Sequence, residues 1–466
     1  MRLIKNMSYT LFSNLLSILV SALIVLIIPR FIGVREYGFW QLYVFYASYV
    51  GVLHFGWADG LFLRRGGQQA EKIDAPSLKA ETVLFMTFNA VIGLFVICIG
   101  ISHVDYYRFI FMSLGLTVFF ANVRTWITMI LQSTGNFREY AINLSAQSLM
   151  YLSLIFVILL FHLFNYQYMI AAYIISQIAT VISGFIQLRK VFKETKSTLN
   201  FKKAAVEIKY NVSAGFKLMV ANSTAMLIIG IIRFGIQQRW SVTIFGKISL
   251  ILSIANLLMV FINAVSLVLF PALRRTKQIA RDVYTGIKSV LLPFLYMAMA
   301  LYFPIRLIIP IWLPQYVDTL HYAAVLMPMM VYQGKFEVLS NTFMKNFRME
   351  GTLMVINIVS LVISFALTVI SIYMLHNIDF AVFSIAIVLG IRSSISEVVL
   401  SKRISVHCVK DIIIENTFVL GFMFLNWNFS IELAFVVYSI AIIIYASLSR
   451  RSIFSGILVM RELSKY

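Results

Sequence analysis

RFIGVREYGFWQLYVFYASYVGVLHFGWADGLFLRRGG, residues 30–67, decides how the rest of the chain is read. A basic residue closes one apolar run, and the chain turns through Gly33-Val34-Arg35-Glu36-Tyr37-Gly38. An aromatic-rich run then carries His54 and Asp59 and stops at Arg64-Arg65-Gly66-Gly67. Apolar runs long enough to cross a bilayer are ordinary in a membrane protein. Ionisable groups inside one are not, because hydrocarbon penalises each unless it meets a cavity or a partner. The chain repeats this plan, so function is sought where the polar groups sit.

Of the 466 residues, 61% are hydrophobic and only 12% charged, with a mean hydropathy of +0.88. That leaves too little polar surface to wrap a soluble domain of this size. The chain therefore reads as an all-α polytopic membrane protein. Its 39 Lys and Arg against 19 Asp and Glu give a net charge of +20. In a soluble protein this would point to nucleic acid, but cytoplasmic loops of membrane proteins collect Lys and Arg. Cys98 and Cys408 lie in or beside apolar runs and outline neither a disulfide framework nor a metal site. The first run is of full length and lacks a cleavage signature, so it is expected to be retained.

A bilayer-spanning helix takes about 20 mostly apolar residues, and about 14 segments qualify. They lie near 8–30, 40–62, 80–101, 108–131, 140–163, 167–188, 213–236, 242–270, 286–311, 320–344, 352–375, 380–401, 412–427 and 430–448. The ninth carries Pro293, Pro304 and Pro310 and is expected to bend. The last two are short, and two spans are favoured over one re-entrant hairpin. With the N-terminus inside, the inner side gathers about 28 Lys and Arg and the outer side about four, a decisive asymmetry. Both termini are expected in the cytoplasm, the C-terminal one with the basic tail Arg450, Arg451 and Lys465.

The polar stretch 191–212 places Phe201, Ala205, Ile208 and Val212 opposite Lys202, Lys203 and Lys209. It reads as a basic amphipathic linker on the inner leaflet. On either side of it the chain echoes itself. Arg64-Arg65 and Arg274-Arg275 close equivalent spans, as do Asn136-Phe137-Arg138 and Asn346-Phe347-Arg348; Arg30-Phe31 and Arg233-Phe234 fall at equivalent ends. The expected organisation is a six-helix bundle over 1–190, the linker 191–212, a second bundle over 213–405, and two extra helices with a tail over 406–466. An even repeat relates the bundles by a pseudo-twofold along the membrane normal.

No nucleophile elbow, zinc helix, Walker A sequence or Cys/His cluster is present in the sequence, and the external loops are short. No enzyme chemistry, cofactor or metal is expected. Histidines 54, 103, 162, 321, 376 and 407 are scattered, mostly at span ends. The charges inside spans say more. Arg124, Lys217, Arg233, Lys247, Arg306, Lys335 and Arg392 lie within spans, with Arg30 at an edge, against Asp59, Glu337 and Glu397. Cations near span ends can snorkel to the headgroups. The deeper Arg124, Lys335 and Arg392 call for hydration or an anion. Arg30, Arg124, Arg233, Lys335 and Arg392 are thus the candidate cationic site, suited to phosphoryl oxygens. His54, Asp59, Glu337 and Glu397 are the candidate gate or coupling groups. Tyr43, Tyr46 and Tyr49 recur three apart and read first as packing.

Pro29-Arg30-Phe31-Ile32-Gly33, Glu36-Tyr37-Gly38 and Phe55-Gly56…Asp59-Gly60, followed by a basic inner loop, resemble the polysaccharide exporters and O-antigen flippases. These belong to the multidrug/oligosaccharidyl-lipid/polysaccharide (MOP) exporter superfamily, to which the six-plus-six repeat with two extra spans is also similar. The resemblance implies a flippase in the bacterial cytoplasmic membrane. It would move undecaprenyl-diphosphate-linked oligosaccharide by alternating access for capsule, O-antigen or exopolysaccharide synthesis. A polymerase and glycosyltransferases would be its partners, and membrane potential, a proton or sodium its coupling source. The rival readings are a multidrug or cation antiporter of the same fold, which needs acids in its cavity, and a membrane polysaccharide polymerase.

Overall fold

The computed structural model describes residues 2–66, 74–192, 199–275 and 280–463, and among them there is helix but no strand. Lys465 and part of the 191–212 stretch lie outside the described residues. The chain divides into two compact units, Met1–Ser223 and Thr224–Tyr466.

The first unit holds α1 (Arg2–Phe31), α2 (Val34–Ala47), α3 (Trp57–Arg65), α4 (Ala75–Ser102), α5 (Asp105–Ser133), α6 (Phe137–Leu160), α7 (Tyr166–Phe192) and the start of α8 (Phe201–Arg239). The second continues with α9 (Val242–Arg275), α10 (Ala280–Met299), α11 (Tyr302–Trp312), α12 (Leu320–Leu326), α13 (Met329–Lys335) and α14 (Thr342–Asn346). It closes with α15 (Glu350–Val369), α16 (Ile378–Ile404), α17 (Val409–Asn428) and α18 (Ile431–Leu463). Every apolar segment found in the sequence falls on helix. Ten of the described helices are long and apolar enough to cross a membrane. This is a multi-pass membrane protein.

Three departures from regular helix shape the molecule. The segment expected over 40–62 is not one helix. After α2 the chain makes a 3-10 turn over Val50–His54. Phe55 and Gly56 then adopt left-handed backbone, at φ 51° and 74°. His54 and Asp59 therefore sit on opposite sides of a break. The ninth segment parts between α10 and α11, as its prolines predict. Pro304 has no N–H to offer the carbonyl of Ala300, four residues earlier, and the helix fails there. The tenth segment is a chain of short pieces, with a π-helical stretch over Phe336–Asn341 between α13 and α14.

The start of α8 differs from the surface linker read in the sequence. Residues 201–212 are the first turns of a helix that runs to Arg239, and the division between units falls inside it. Its buried positions are Ala204, Asn211, Gly215 and Met219, while Phe201 and Ala205 are exposed. The buried stripe packs on protein. A Cβ on Gly60 would lie 1.7 Å from the Asn211 carbonyl oxygen, and one on Gly215 would lie 1.9 Å from that of Gly56. The glycines of the Phe55-Gly56…Asp59-Gly60 motif thus let α3 and α8 touch backbone to backbone. Glu81, buried on α4, locks this seam. It accepts from Trp57 Nε1 at 2.9 Å and Asn211 Nδ2 at 2.5 Å, and pairs with Arg65 at 3.4 Å. Arg64 reaches Asn211 Oδ1 at 2.7 Å and Glu207 at 3.0 Å. The basic pair at the end of α3 is a clamp as well as a topology signal.

Under that seam Phe85 stacks on Trp126 at 4.5 Å, with Trp57 edge-on to both. This aromatic cluster is the core of the first unit's α3–α4–α5 corner. In the second unit α10 packs along α18, α15 along α16, and α13 lies against α9, α10 and α16. The tail expected after residue 448 is helical, because α18 continues unbroken to Leu463.

Candidate functional site

Besides the Glu81 seam, two further places among the described residues collect polar groups in apolar surroundings, one in each unit. The first is a cavity of about 340 Å³ walled by α1, α2, α5, α6 and α7. Arg124 enters it from α5, Gln147 and Tyr151 from α6, and Tyr173 and Gln177 from α7; Trp40 and Tyr43 come from α2 and four serines complete its polar wall. Among the described residues that line it, none is acidic. The Tyr43 hydroxyl meets Thr117 at 2.6 Å, and Ser148 donates to Ser17 at 3.0 Å, which ties α6 to α1. Two members are left wanting. Arg124 Nε is buried with no hydrogen-bond partner among the described residues, and so are both amide atoms of Gln177. Buried donors in native proteins are nearly always satisfied, so this wall is built for water or a polar ligand.

The second place is a charged cluster in the other unit. Lys335, the last residue of α13, pairs with Glu397 of α16 at 2.7 Å and also with Glu415 of α17. Lys288 of α10 pairs with the same Glu397 and with Asp411 of α17. The Tyr284 hydroxyl donates to Glu397 Oε1 at 3.5 Å. Lys335, Glu397 and Glu415 are each only 1% exposed at the side chain. One oxygen stays outside the network: Glu415 Oε1 is buried without a partner.

The cationic residues singled out in the sequence are scattered over both units. Arg30 lies in the last turn of α1 and is exposed. Arg233 on α8 donates to Ser249 Oγ at 2.9 Å and lies 5.4 Å from the Phe245 ring centre. Arg392 is buried on α16, with its guanidinium 3.6 Å over the Phe336 ring and Nε donating to Asn357 at 3.0 Å. Of the gate candidates, His54 is buried with Nδ1 unpartnered. Asp59 is in the first turn of α3, where the helix dipole favours a carboxylate. Glu337 accepts from Asn341 at 2.7 Å within the π-helical stretch.

The sequence tally of intramembrane charge needs correction. It counted Lys335 as a cation short of partners, but two carboxylates hold it. Glu415 and Glu81 also lie within the apolar segments, and neither was counted. Lys288, inside the 286–311 segment, is missing from that tally too. The signal for Glu415 was present, since a glutamate in the segment 412–427 is as costly as one in 380–401. That Lys335 meets both acids is a matter of helix packing alone.

No family model matches this sequence, and no curated protein matches it. Solved structures do. An inward-facing MATE multidrug resistance transporter of the MOP superfamily aligns over 84% of this chain and 98% of its own, at 11% identity and a TM-score of 0.58. The lipid II flippase MurJ, in an inward closed conformation, aligns over 97% of this chain and 100% of its own, at 13% identity and the same TM-score. The chain has the MOP-transporter fold. An outward-facing MATE transporter aligns over 86% of the chain at a TM-score of 0.51. At such identities the MOP likeness is one of fold, and the site must speak for the cargo.

Proposed function

We propose that this chain is a flippase for an oligosaccharide carried on a lipid diphosphate, of the undecaprenyl class. It would act by alternating access in the bacterial cytoplasmic membrane, with both termini inside, and supply capsule, O-antigen or exopolysaccharide assembly. The observation that carries the reading is the first unit's cavity. It offers an arginine with a free buried donor, an unsatisfied glutamine amide and no carboxylate. A guanidinium in such a setting attracts phosphoryl oxygens, and no acid is present to compete for it. Tyrosine and tryptophan give a sugar both an apolar face and polar edges. The fold is one that a lipid II flippase also uses.

The test is a strain deleted for this chain and complemented with wild type or Arg124→Glu. Finished lipid-linked repeat units should accumulate on the inner leaflet in the deletion strain and in the variant, at unchanged protein abundance. Full export by Arg124→Glu would remove the cationic site. Repeat units that reach the outer leaflet but stay unpolymerised would make the chain a polymerase.

One observation favours the antiporter as a second reading. The second unit buries carboxylates at Glu397 and Glu415, and an antiporter needs acids. Both are engaged by lysine, which leaves little for an organic cation. Drug hypersensitivity of the deletion strain with normal glycan would decide for it.

A further inference from the structure

The charged cluster of the second unit does not balance. Lys288 and Lys335 supply two positive charges; Glu397, Asp411 and Glu415 supply three negative ones. Fully ionised, the group carries one surplus negative charge in an apolar bundle, where it is poorly tolerated. Asp411 is unlike the other two acids because its side chain is 39% exposed. It lines, with Lys288, a cavity of about 580 Å³ between α10 and α18 whose wall also carries Asp282, Ser289, Tyr445 and Arg451. At the other end of the cluster lies the unpartnered Oε1 of Glu415. The groups facing Glu415 are Tyr284, Lys288 and Tyr296 of α10, Tyr332 and Lys335 of α13, Glu397 of α16 and Tyr445 of α18. Cys408, at the head of α17, is turned to Ser401.

We propose that the Glu415 carboxyl group, with its unpartnered Oε1, is a proton-binding site, filled from water through this cavity, that couples transport to a proton gradient. A proton taken up by Asp411 passes along alternating acids and ammonium groups. Lys288 gives a proton to Glu397 Oε1 and takes one from Asp411; the Glu397 carboxyl turns to bring that proton to Lys335, which gives one to Glu415 Oε2 and takes the one from Glu397, and a turn of the Glu415 carboxyl puts the proton at the unpartnered position. Both lysines end charged, Asp411 and Glu397 end ionised, and Glu415 ends neutral, so one proton has moved and the cluster carries no net charge. The helices α17 and α18 lie outside the sequence repeat, and here they supply the proton acceptor and one wall of its entrance. The coupling role rests on the export reading; the proton site itself does not.

The test is infrared pH titration of the full chain in lipid nanodiscs, without cargo and in potassium buffer. The expected result is one buried carboxylic-acid signal per protein, lost in Glu415→Gln and displaced in pH in Glu415→Asp, which keeps the fold in evidence. Asp411→Asn leaves two acids against two lysines, so it should displace the signal to lower pH and slow its exchange with solvent. A signal that survives Glu415→Gln, or none at any pH at which the protein stays folded, would overturn the site. A signal abolished by sodium would also overturn it, in favour of a metal ion. If the titration behaves as expected and lipid-linked glycan still crosses the membrane in the deletion strain, the flippase reading fails and the proton site stands.

Discussion

The cavity of the first unit and the cluster of the second hold deep cations in opposite electrostatic situations. Arg124 has a buried Nε without a partner among the described residues, on a wall where none of those residues is acidic. Lys335 is held between two carboxylates and is shut from solvent. Both residues look alike in a hydropathy profile, each a lone cation in an apolar run. Their neighbours leave one with an unpaired donor and neutralise the other. A charge count along a membrane sequence cannot tell these apart.

Replacing each cation with methionine tests that contrast most strongly. Lys335→Met strands Glu415 and leaves Glu397 with Lys288 alone, and removing one member of a buried pair costs about 3–5 kcal/mol. Arg124→Met removes an unsatisfied donor from a cavity, so stability should hold or rise while export is lost. Thermal unfolding of the two purified variants in lipid nanodiscs, beside an export assay, measures both. Equal destabilisation would dissolve the distinction.

Arg392 sharpens the comparison, because it is a third buried cation with a different resolution. Its partners are a ring face and an amide, and no carboxylate is hydrogen-bonded to it among the described residues. Arg392→Lys keeps the charge but gives up the planar stack and the Nε fork, for a loss of about 2 kcal/mol in the same unfolding assay. An unchanged midpoint would show that charge, and not shape, holds that site.

The smallest effect is expected outside the membrane. Asp74 caps α4 and pairs with Lys203 at 2.6 Å, and that hydrogen bond holds its carboxyl below the usual carboxylate range. A depressed carboxyl stabilises the fold above its unfolded pKa, about 3.9, and loses that contribution as pH falls through the folded value. Asp74→Asn should therefore lower the melting temperature slightly at pH 7, and the gap from wild type should close in acid. Solvent screens this pair, unlike Lys335. A gap that persists in acid would show that the cap, not the ion pair, carries the effect.

Much of the fold could be read from the sequence, since each apolar segment coincides with helix and the Pro304 break falls where a missing donor requires it. The break at Phe55-Gly56 was hidden, because Phe55 is not a residue that announces left-handed backbone. Gly56 and Gly60 were visible as a motif, but only α8 lying against them explains why a side chain cannot fit. Among the candidate site residues, Arg124 lines the first unit's cavity, while Arg30 is exposed in the last turn of α1 and Arg233 is bonded to Ser249. Lys335 and Glu397 meet each other rather than a ligand. Glu415 was legible as a buried acid by the same rule that singled out Glu397, whereas its pairing was not.

The amino-acid sequence by itself determined that the chain is helical and built for a membrane, because hydropathy and helix length are sums over neighbours in the chain. Only the tertiary structure decided which charges are neutralised. Lys335 meets its two acids across 62 and 80 residues of chain, and an electrostatic energy depends on distance through space, which no local sum contains.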